Sequence, residues 1–498
     1  MIVFRTDLPQ TTLERRVARG ALVRLAAGVY TTDTRTDRTL VVKREWLTIV
    51  GGLFPGAVIT DRSAVPGGPV NGYLYLAHDA REREVKLPGL TVLARRGAPA
   101  QSGDVEMPGG LHLASRPRAL AENARPTRAR GDRPSRGYTD TELGDWVDRL
   151  CRIDGEQRLL HYREEAEQMA GVLGVPETAM ARLSQLVGMA VGTKDADSGS
   201  AALRARRGGY PYDADRVARF GLLTDALRDA VPQNIPVDEN LPRYGYLAFF
   251  ESYFSNFIEG TRFELGEAVR LVYEGVAPEQ RTNDAHDLVG TYRVVADEKE
   301  MRERATTPDD YINLLRRRHS LILAERDDLS PGLFKEKANR AGNTEFVAPD
   351  LVVGTLRAGF ERLHELDTAW ERAVYAMFLV AEVHPFNDGN GRLARVMMNS
   401  ELVAAGQSRI IIPTVFREDY LAALRRLSRA DDPSVLIKAL RIGQEFTSRI
   451  NYSTIDMARQ QLDTAMAFDP ADADHRLVMP SRLSVIEAEA SPLPPAPA

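Results

Sequence analysis

The chain has 498 residues, 43% of them hydrophobic and 27% charged, with a formal net charge of −5. That length exceeds what one hydrophobic core organises, so two or three globular domains are expected, and the slight negative balance excludes a global attraction to nucleic acid or acidic membrane. A single cysteine, Cys151, excludes an internal disulfide framework; with neither a signal-peptide core nor an apolar run of membrane-spanning length, a cytoplasmic protein without membrane contact is expected.

At the amino terminus, Leu13–Arg19 reads as a short helix and Ala21–Tyr30 as two strands around a tight turn, the pattern of a small hairpin or wing. Positions 1–45 hold nine basic and five acidic residues. The run from Arg15 to Arg24 followed by Gly28-Val29-Tyr30, then Thr60–Ala64 and Leu113–Leu120, resembles AbiEi-type antitoxin and regulator domains over about residues 1–130. The resemblance implies a small α/β, winged-helix-like domain. A helix-turn-helix needs two helices ahead of its wing, and only about a dozen residues precede the first helix here, so protein docking stands beside DNA binding as its role. Between Arg116 and Arg136, seven arginines interleave with prolines; a solvated linker is expected, with phosphate contact as the alternative. Residues 131–209 follow as a connector. Tyr138–Val191 alternates charged residues with Leu, Val and Met at helical spacing, and Asp195–Gly209 is Gly/Ser/Arg-rich and reads as flexible. Cys151 is expected to be a buried helix residue.

Tyr246–Ile258 is aromatic-rich, with Leu247, Phe250, Phe254 and Phe257 at helical spacing, and Gly260 caps the predicted helix. Glu259 then falls at the helix carboxyl end, where the macrodipole disfavours an anion, so it needs water or a cation. Further on, Ala341–Pro349 combines turn residues with a short strand-like run through Asn343, Thr344, Glu345 and Phe346. Asp367–Val383 has the period of an amphipathic helix, and Pro385 predicts its end near His384, leaving that imidazole on a loop. Phe386 is expected to point inward. Asp388 is a hard oxygen donor suited to magnesium, and Gly389-Asn390-Gly391 allows backbone N–H groups to converge on an anion. A second helix is predicted from about Arg392 to Ala405, stopped by Gly406. Its amino end favours phosphate, and Arg392 and Arg395, three apart, can face one polyphosphate. A plain turn explains the Asp-Gly-Asn-Gly run but neither the histidine nor the two arginines.

The run His384-Pro385-Phe386-Asn387-Asp388-Gly389-Asn390-Gly391-Arg392-Leu393-Ala394-Arg395 resembles the Fic family signature, His-x-Phe-x-(Asp/Glu)-Gly-Asn-Gly-Arg-x-x-Arg, with every specified position matched. The resemblance implies a mainly α protein, with an all-helical core and a small β-hairpin flap over about 210–455. It also implies transfer of AMP from Mg²⁺-bound ATP to a Tyr, Thr or Ser hydroxyl of a target protein, the enzyme itself included. By position, His384 would be the general base and Asp388 the Mg²⁺ ligand. Asn390 with the amides of Gly389 and Gly391 would hold the α- and β-phosphates, and Arg392 and Arg395 the β- and γ-phosphates. Ser255-x-x-x-Glu259-Gly260 matches the family's inhibitory helix, here 245–260, which implies that Glu259 pairs with Arg395 and blocks the productive γ-phosphate pose. Asn343, Thr344, Glu345 and Phe346 would form the flap that docks the target, and Tyr420 would line the adenine pocket unless it is a core residue. Two alternatives use the same features: removal of AMP from a modified target, with Glu259 aligning water, and a nucleotide-sensing, DNA-binding regulator of toxin–antitoxin type. An interface-controlled brake suggests a homodimer. Residues 456–498 form a tail, disordered from about 483.

Overall fold

The structure is a computed structural model that describes residues 1–80, 82–129, 131, 133–238, 240–277, 281–470 and 475–481. It divides into two units, Met1–Gly209 and Tyr210–Ala498. The disorder expected from about 483 falls outside the described residues.

In the first unit, β1 (Ile2–Phe4), α1 (Gln10–Ala18), β2 (Val23–Ala26) and β3 (Val29–Thr31) build an antiparallel sheet of order β1-β3-β2. Gly28, at φ 80°, supplies the left-handed residue that the β2–β3 turn requires. One helix, α1, precedes this hairpin. Next come α2 (Arg38–Leu53), β4 (Val58–Ile59), β5 (Tyr73–His78), β6 (Arg83–Leu87), β7 (Leu90–Arg96), β8 (Val105–Met107) and β9 (Leu111–Leu113). These six strands form a mixed sheet of order β6-β7-β5-β4-β9-β8, parallel at β5/β7 and β4/β9. Leu74 and Leu76 lie opposite Val92 and Ala94 on one face and share a core with Val41, Val42, Ile49 and Val50 of α2. Gly51 belongs to that contact: a methyl group there would strike the Gly109 carbonyl at 2.0 Å.

The helices α3 (Arg116–Asn123), α4 (Asp140–Asp154), α5 (Glu156–Leu173), α6 (Glu177–Ala190) and α7 (Ala201–Arg207) form a second core around Leu120, Leu143, Val147, Leu159 and Leu183, with Cys151 buried among them. Two sequence expectations are corrected here. Asp195–Gly209 is anchored rather than flexible, because Ser200 caps α7, donating to Asp145 (2.6 Å) and accepting from Leu203 N–H (3.1 Å), and Arg206 pairs with Asp148 at 2.6 Å. The arginines of 116–136 are likewise not all solvated. Arg118 is fully buried between Asp104 (2.6 Å) and Glu122 (3.4 Å), and Arg136 pairs with Asp61 at 2.9 Å. Arg95, from β7, joins Asp61 to Glu122, whose carboxyl is held above its usual range by burial. Each buried carboxylate thus meets a cation, which is the condition for leaving water.

The second unit contains α8 (Ala214–Asp229), α9 (Leu247–Ile258), α10 (Leu265–Val269), α11 (Thr282–Ala296), α12 (Glu298–Arg302), α13 (Pro308–Ile322), the short hairpin β10 (Arg340–Ala341) and β11 (Thr344–Glu345), then α14 (Val352–Leu363), α15 (Ala369–Val383), α16 (Asn390–Ala404), α17 (Arg417–Ala430), α18 (Ser434–Ser448) and α19 (Ile455–Thr464). Helix α15 is apolar nearly all round and correspondingly central: Trp370, Val374, Phe378 and Val380 have no exposure. The aromatic stripe of α9 packs elsewhere, its Phe250 and Phe254 beside Tyr452 and Phe468. Among the described residues, no helix is long and apolar enough to cross a membrane.

Candidate active site

Thr368 and Glu371 form a reciprocal capping box that starts α15. The helix ends at Val383, and His384 takes a left-handed backbone, φ 51° and ψ 59°, before Pro385. Non-glycine residues seldom adopt that conformation, and those that do gather at functional turns. The following turn carries Asp388, and Gly389 at φ 73° opens α16. His384, Asp388 and the amino end of α16 are therefore brought together by a turn only six residues long, 384–389, as the sequence expected.

Burial pushes the His384 imidazole down to about 4, with the neighbouring Lys335 cation acting in the same direction. The ring is neutral at pH 7. Its Nδ1 lies 3.4 Å from the Ala381 carbonyl, which can only accept. The proton therefore sits on Nδ1 and leaves Nε2 as the basic nitrogen. Phe386 points inward with no exposure and stacks on His319 at 3.7 Å.

Glu259 caps the carboxyl end of α9, and its Oε1 accepts from Arg395 Nη2 at 2.7 Å. Arg395 is also held by the Ser255 hydroxyl (2.9 Å) and the Ser255 carbonyl (2.8 Å). The same Glu259 oxygen occupies the place a side chain at Gly391 would need, 2.1 Å from an added methyl group. An anion that its own helix disfavours is thus seated at the amino end of α16, where the peptide dipoles favour it. Gly260 follows at φ 100°.

Other expected site residues stand differently. The Asn390 side chain turns back on the loop, accepting from Phe386 N–H (2.9 Å) and donating to its carbonyl (2.9 Å), so it braces the cradle instead of facing a phosphate. Arg392 does not face the same point as Arg395. It is buried against Asp287 of α11 at 2.6 Å, with Asp388 at 3.6 Å. Tyr420 is 1% exposed, with its hydroxyl toward Met377 sulfur (3.4 Å) and in contact with Arg395; it belongs to the core, the second of the two readings the sequence left open. In the hairpin, Gly342 and Asn343 make the turn, Arg429 donates to the Thr344 hydroxyl (2.8 Å) and Arg216 to the Glu345 carbonyl. Phe346 lies flat on the His384 ring, with centroids 3.8 Å apart and planes 6° from parallel.

Sequence reasoning missed four residues that shape this site. His319 of α13 receives Gly332 N–H on Nδ1 (2.9 Å) and so donates from Nε2 to the Asp388 carbonyl (2.9 Å); burial holds it down at about 4. Asp287 engages Arg392. Lys335 Nζ donates to the His384 carbonyl (2.8 Å), and Asn339 Nδ2 to the Phe386 carbonyl (3.0 Å). Each lies at least 45 residues from its motif partner and belongs to no local pattern, so only tertiary pairing reveals it.

For magnesium, Asp388 offers an exposed carboxylate whose Oδ1 accepts from Gly389 N–H at 2.7 Å. Among the described residues, no group of three or more His, Cys, Asp or Glu side chains gathers. One carboxylate next to a phosphate cradle suits magnesium, which shares its coordination with phosphate oxygens and water.

Residues 310–402 match the family model described as the Fic/DOC family. Among curated proteins, protein adenylyltransferase fic-1 of Caenorhabditis briggsae is 27% identical over 194 residues, 37% of this chain and 37% of its own length. Protein adenylyltransferase Fic of Drosophila persimilis is 28% identical over 224 residues, 42% of either chain. The chain thus spans about four-tenths of the length of these relatives. Among solved structures, a fragment of Fic-1 from Caenorhabditis elegans aligns at a TM-score of 0.35 and 17% identity, over 62% of this chain and 86% of that one.

Proposed function

We propose that this chain, a Fic family protein through its residues 310–402, is a protein adenylyltransferase held in check by its own Glu259. Nε2 of His384 takes the proton of a Tyr, Thr or Ser hydroxyl as that oxygen attacks the α-phosphorus of ATP. The bond from the α-phosphorus to the bridging oxygen breaks, AMP stays on the acceptor oxygen, pyrophosphate departs and the proton remains on the imidazole. The amides at the start of α16 and the guanidinium of Arg395 balance the phosphate charge, the contribution that weighs most in phosphoryl chemistry. Bound at Asp388, magnesium would offset further charge on the phosphates. Arg392 acts from below, fixing the helix start through Asp287, and the hairpin offers main chain for a target segment by strand addition. The target is another protein or a second copy of this one.

One observation carries this reading: a carboxylate, Glu259, already sits in the anion cradle and on Arg395. It marks the place as one that binds anions, and it denies the γ-phosphate its partner. The test is intact-mass measurement after incubation with Mg²⁺ and each of the four nucleoside triphosphates. The Glu259→Gly protein should gain the mass of one or more AMP groups, the wild type far less, and a Glu259→Gly/His384→Ala protein no more than a trace over the same time. Equal labelling of wild type and Glu259→Gly would remove the brake; no labelling of Glu259→Gly with any nucleotide would remove the transferase.

A further inference from the structure

We propose that Lys335, Asn339 and Phe346 are positioning residues that hold His384 in its working pose, so that the limb of the hairpin which meets a target also sets the base. The inference rests on the reading of His384 as the base.

Four consecutive carbonyls surround the turn, and the segment leading into the hairpin meets all of them. Lys335 Nζ donates to Val383 O (3.4 Å) and His384 O (2.8 Å), and Lys335 N–H to Pro385 O (2.9 Å). Asn339 Nδ2 reaches Phe386 O (3.0 Å), which Asn390 also meets, while Asn339 Oδ1 accepts from Lys335 Nζ at 2.6 Å. A histidine at φ 51° holds that conformation only where its surroundings over-determine it, and this set of bonds is what surrounds it. The Lys335 side chain is an ammonium with 2% exposure, spent wholly on backbone and amide oxygens.

Phe346 completes the arrangement from the far side of the hairpin. Its ring shields one face of the imidazole from water and restricts ring rotation, while the Nδ1 contact to Ala381 sets the tautomer. Arg429 at Thr344 and Arg216 at the Glu345 carbonyl tie down the strand that ends at Phe346. A target strand added to that edge therefore bears on the segment that covers the base. The charged groups acting on His384 are Lys335, Glu259 and Asp388, with Arg216 acting in turn on Lys335.

The experiment is a pH titration by NMR of the full chain carrying ¹³Cε1-labelled histidine, with the His384 signal identified by its loss in His384→Ala. In Phe346→Leu, which keeps apolar volume but removes the stacked ring, the signal should shift. Its midpoint should rise from about 4 by about one pH unit or more, toward the ordinary value near 6.5. Asn339→Ala and Lys335→Met should move it in the same direction, and Lys335→Arg should restore it. If Lys335→Met does not fold, Asn339→Ala reads the same clasp without a buried charge at stake. In a Glu259→Gly background, Phe346→Leu should lower kcat about tenfold or more with KM for ATP within about twofold. An unchanged His384 signal in both Phe346→Leu and Asn339→Ala, or a loss confined to KM, overturns the proposal. Should Glu259→Gly transfer no AMP at all, the transferase reading fails, and the titration alone still decides the clasp.

Discussion

In the first unit, the Arg118 guanidinium has no exposure and divides its donors among Asp104, Glu122 and the carbonyls of Ala98 and Pro99. In the second, Arg395 is buried nearly as deeply, yet its partner Glu259 keeps 32% of its side-chain surface in contact with solvent. The charges are the same and the outcomes differ. A pair closed on both sides is architecture, because removing either partner strands the other in a low dielectric. A pair whose anion reaches water can be opened at moderate cost, since the released carboxylate is rehydrated at once. The second arrangement suits a brake, and its arginine then becomes available to a phosphate.

The largest effect expected from this contrast lies at the site. His384→Ala in a Glu259→Gly background should lower AMP transfer about 10²–10⁴-fold, the usual worth of a general base, read as initial rate of label incorporation. Next, Arg118→Met should cost about 3–5 kcal/mol in chemical denaturation of the first unit, because it leaves the buried Asp104 without its cation while Glu122 keeps only Arg95. Glu259→Gly should cost less in the second unit, because the Ser255 hydroxyl and carbonyl still meet the Arg395 guanidinium; if the two losses were equal, the contrast between closed and open pairs would fail. The pH profile comes third. A base held down at about 4 stays unprotonated from pH 8 to about 5, so the transfer rate of Glu259→Gly should be level there and then fall about tenfold per pH unit below about 4. A decline centred near 6.5 would mean that His384 is open to water. The smallest effect belongs to the edge of the first unit. Thr139 caps α4 and shares Glu142 with Arg62, and Thr139→Ala should cost about 1 kcal/mol, measured as a shift in denaturation midpoint.

Much of the site was legible locally. Pro385 ended α15 at Val383, Gly406 followed the end of α16, and the inward Phe386 and the helix-end Glu259 were placed from spacing and capping rules. The residues that spacing left open share a different property. Asn390 and Tyr420 carry groups that bind ligand in one setting and brace a core in another, and only their neighbours, Phe386 and Met377, decide between the two. The arginines of 116–136 looked solvated because their acidic partners, Asp61 and Asp104, arrive from β-strand connections that composition does not reveal. The mixed six-stranded sheet was not foreseen for a related reason: its parallel pairs β5/β7 and β4/β9 bring together strands that no single turn connects.

What the chain determined by itself is therefore the twelve-residue motif from His384 to Arg395, a short turn running into α16, and the helices that carry it. Backbone preferences of proline, glycine and apolar periodicity act over a few residues and need no distant partner. What only the tertiary structure decided is the electrostatic state of that motif. Burial keeps His384 neutral, helped by Lys335 from 49 residues away, while Glu259 occupies Arg395 from 136 residues away and His319 holds the Asp388 carbonyl from 69. Burial and charge pairing depend on which groups meet in space, and spacing along the chain carries no information about such meetings.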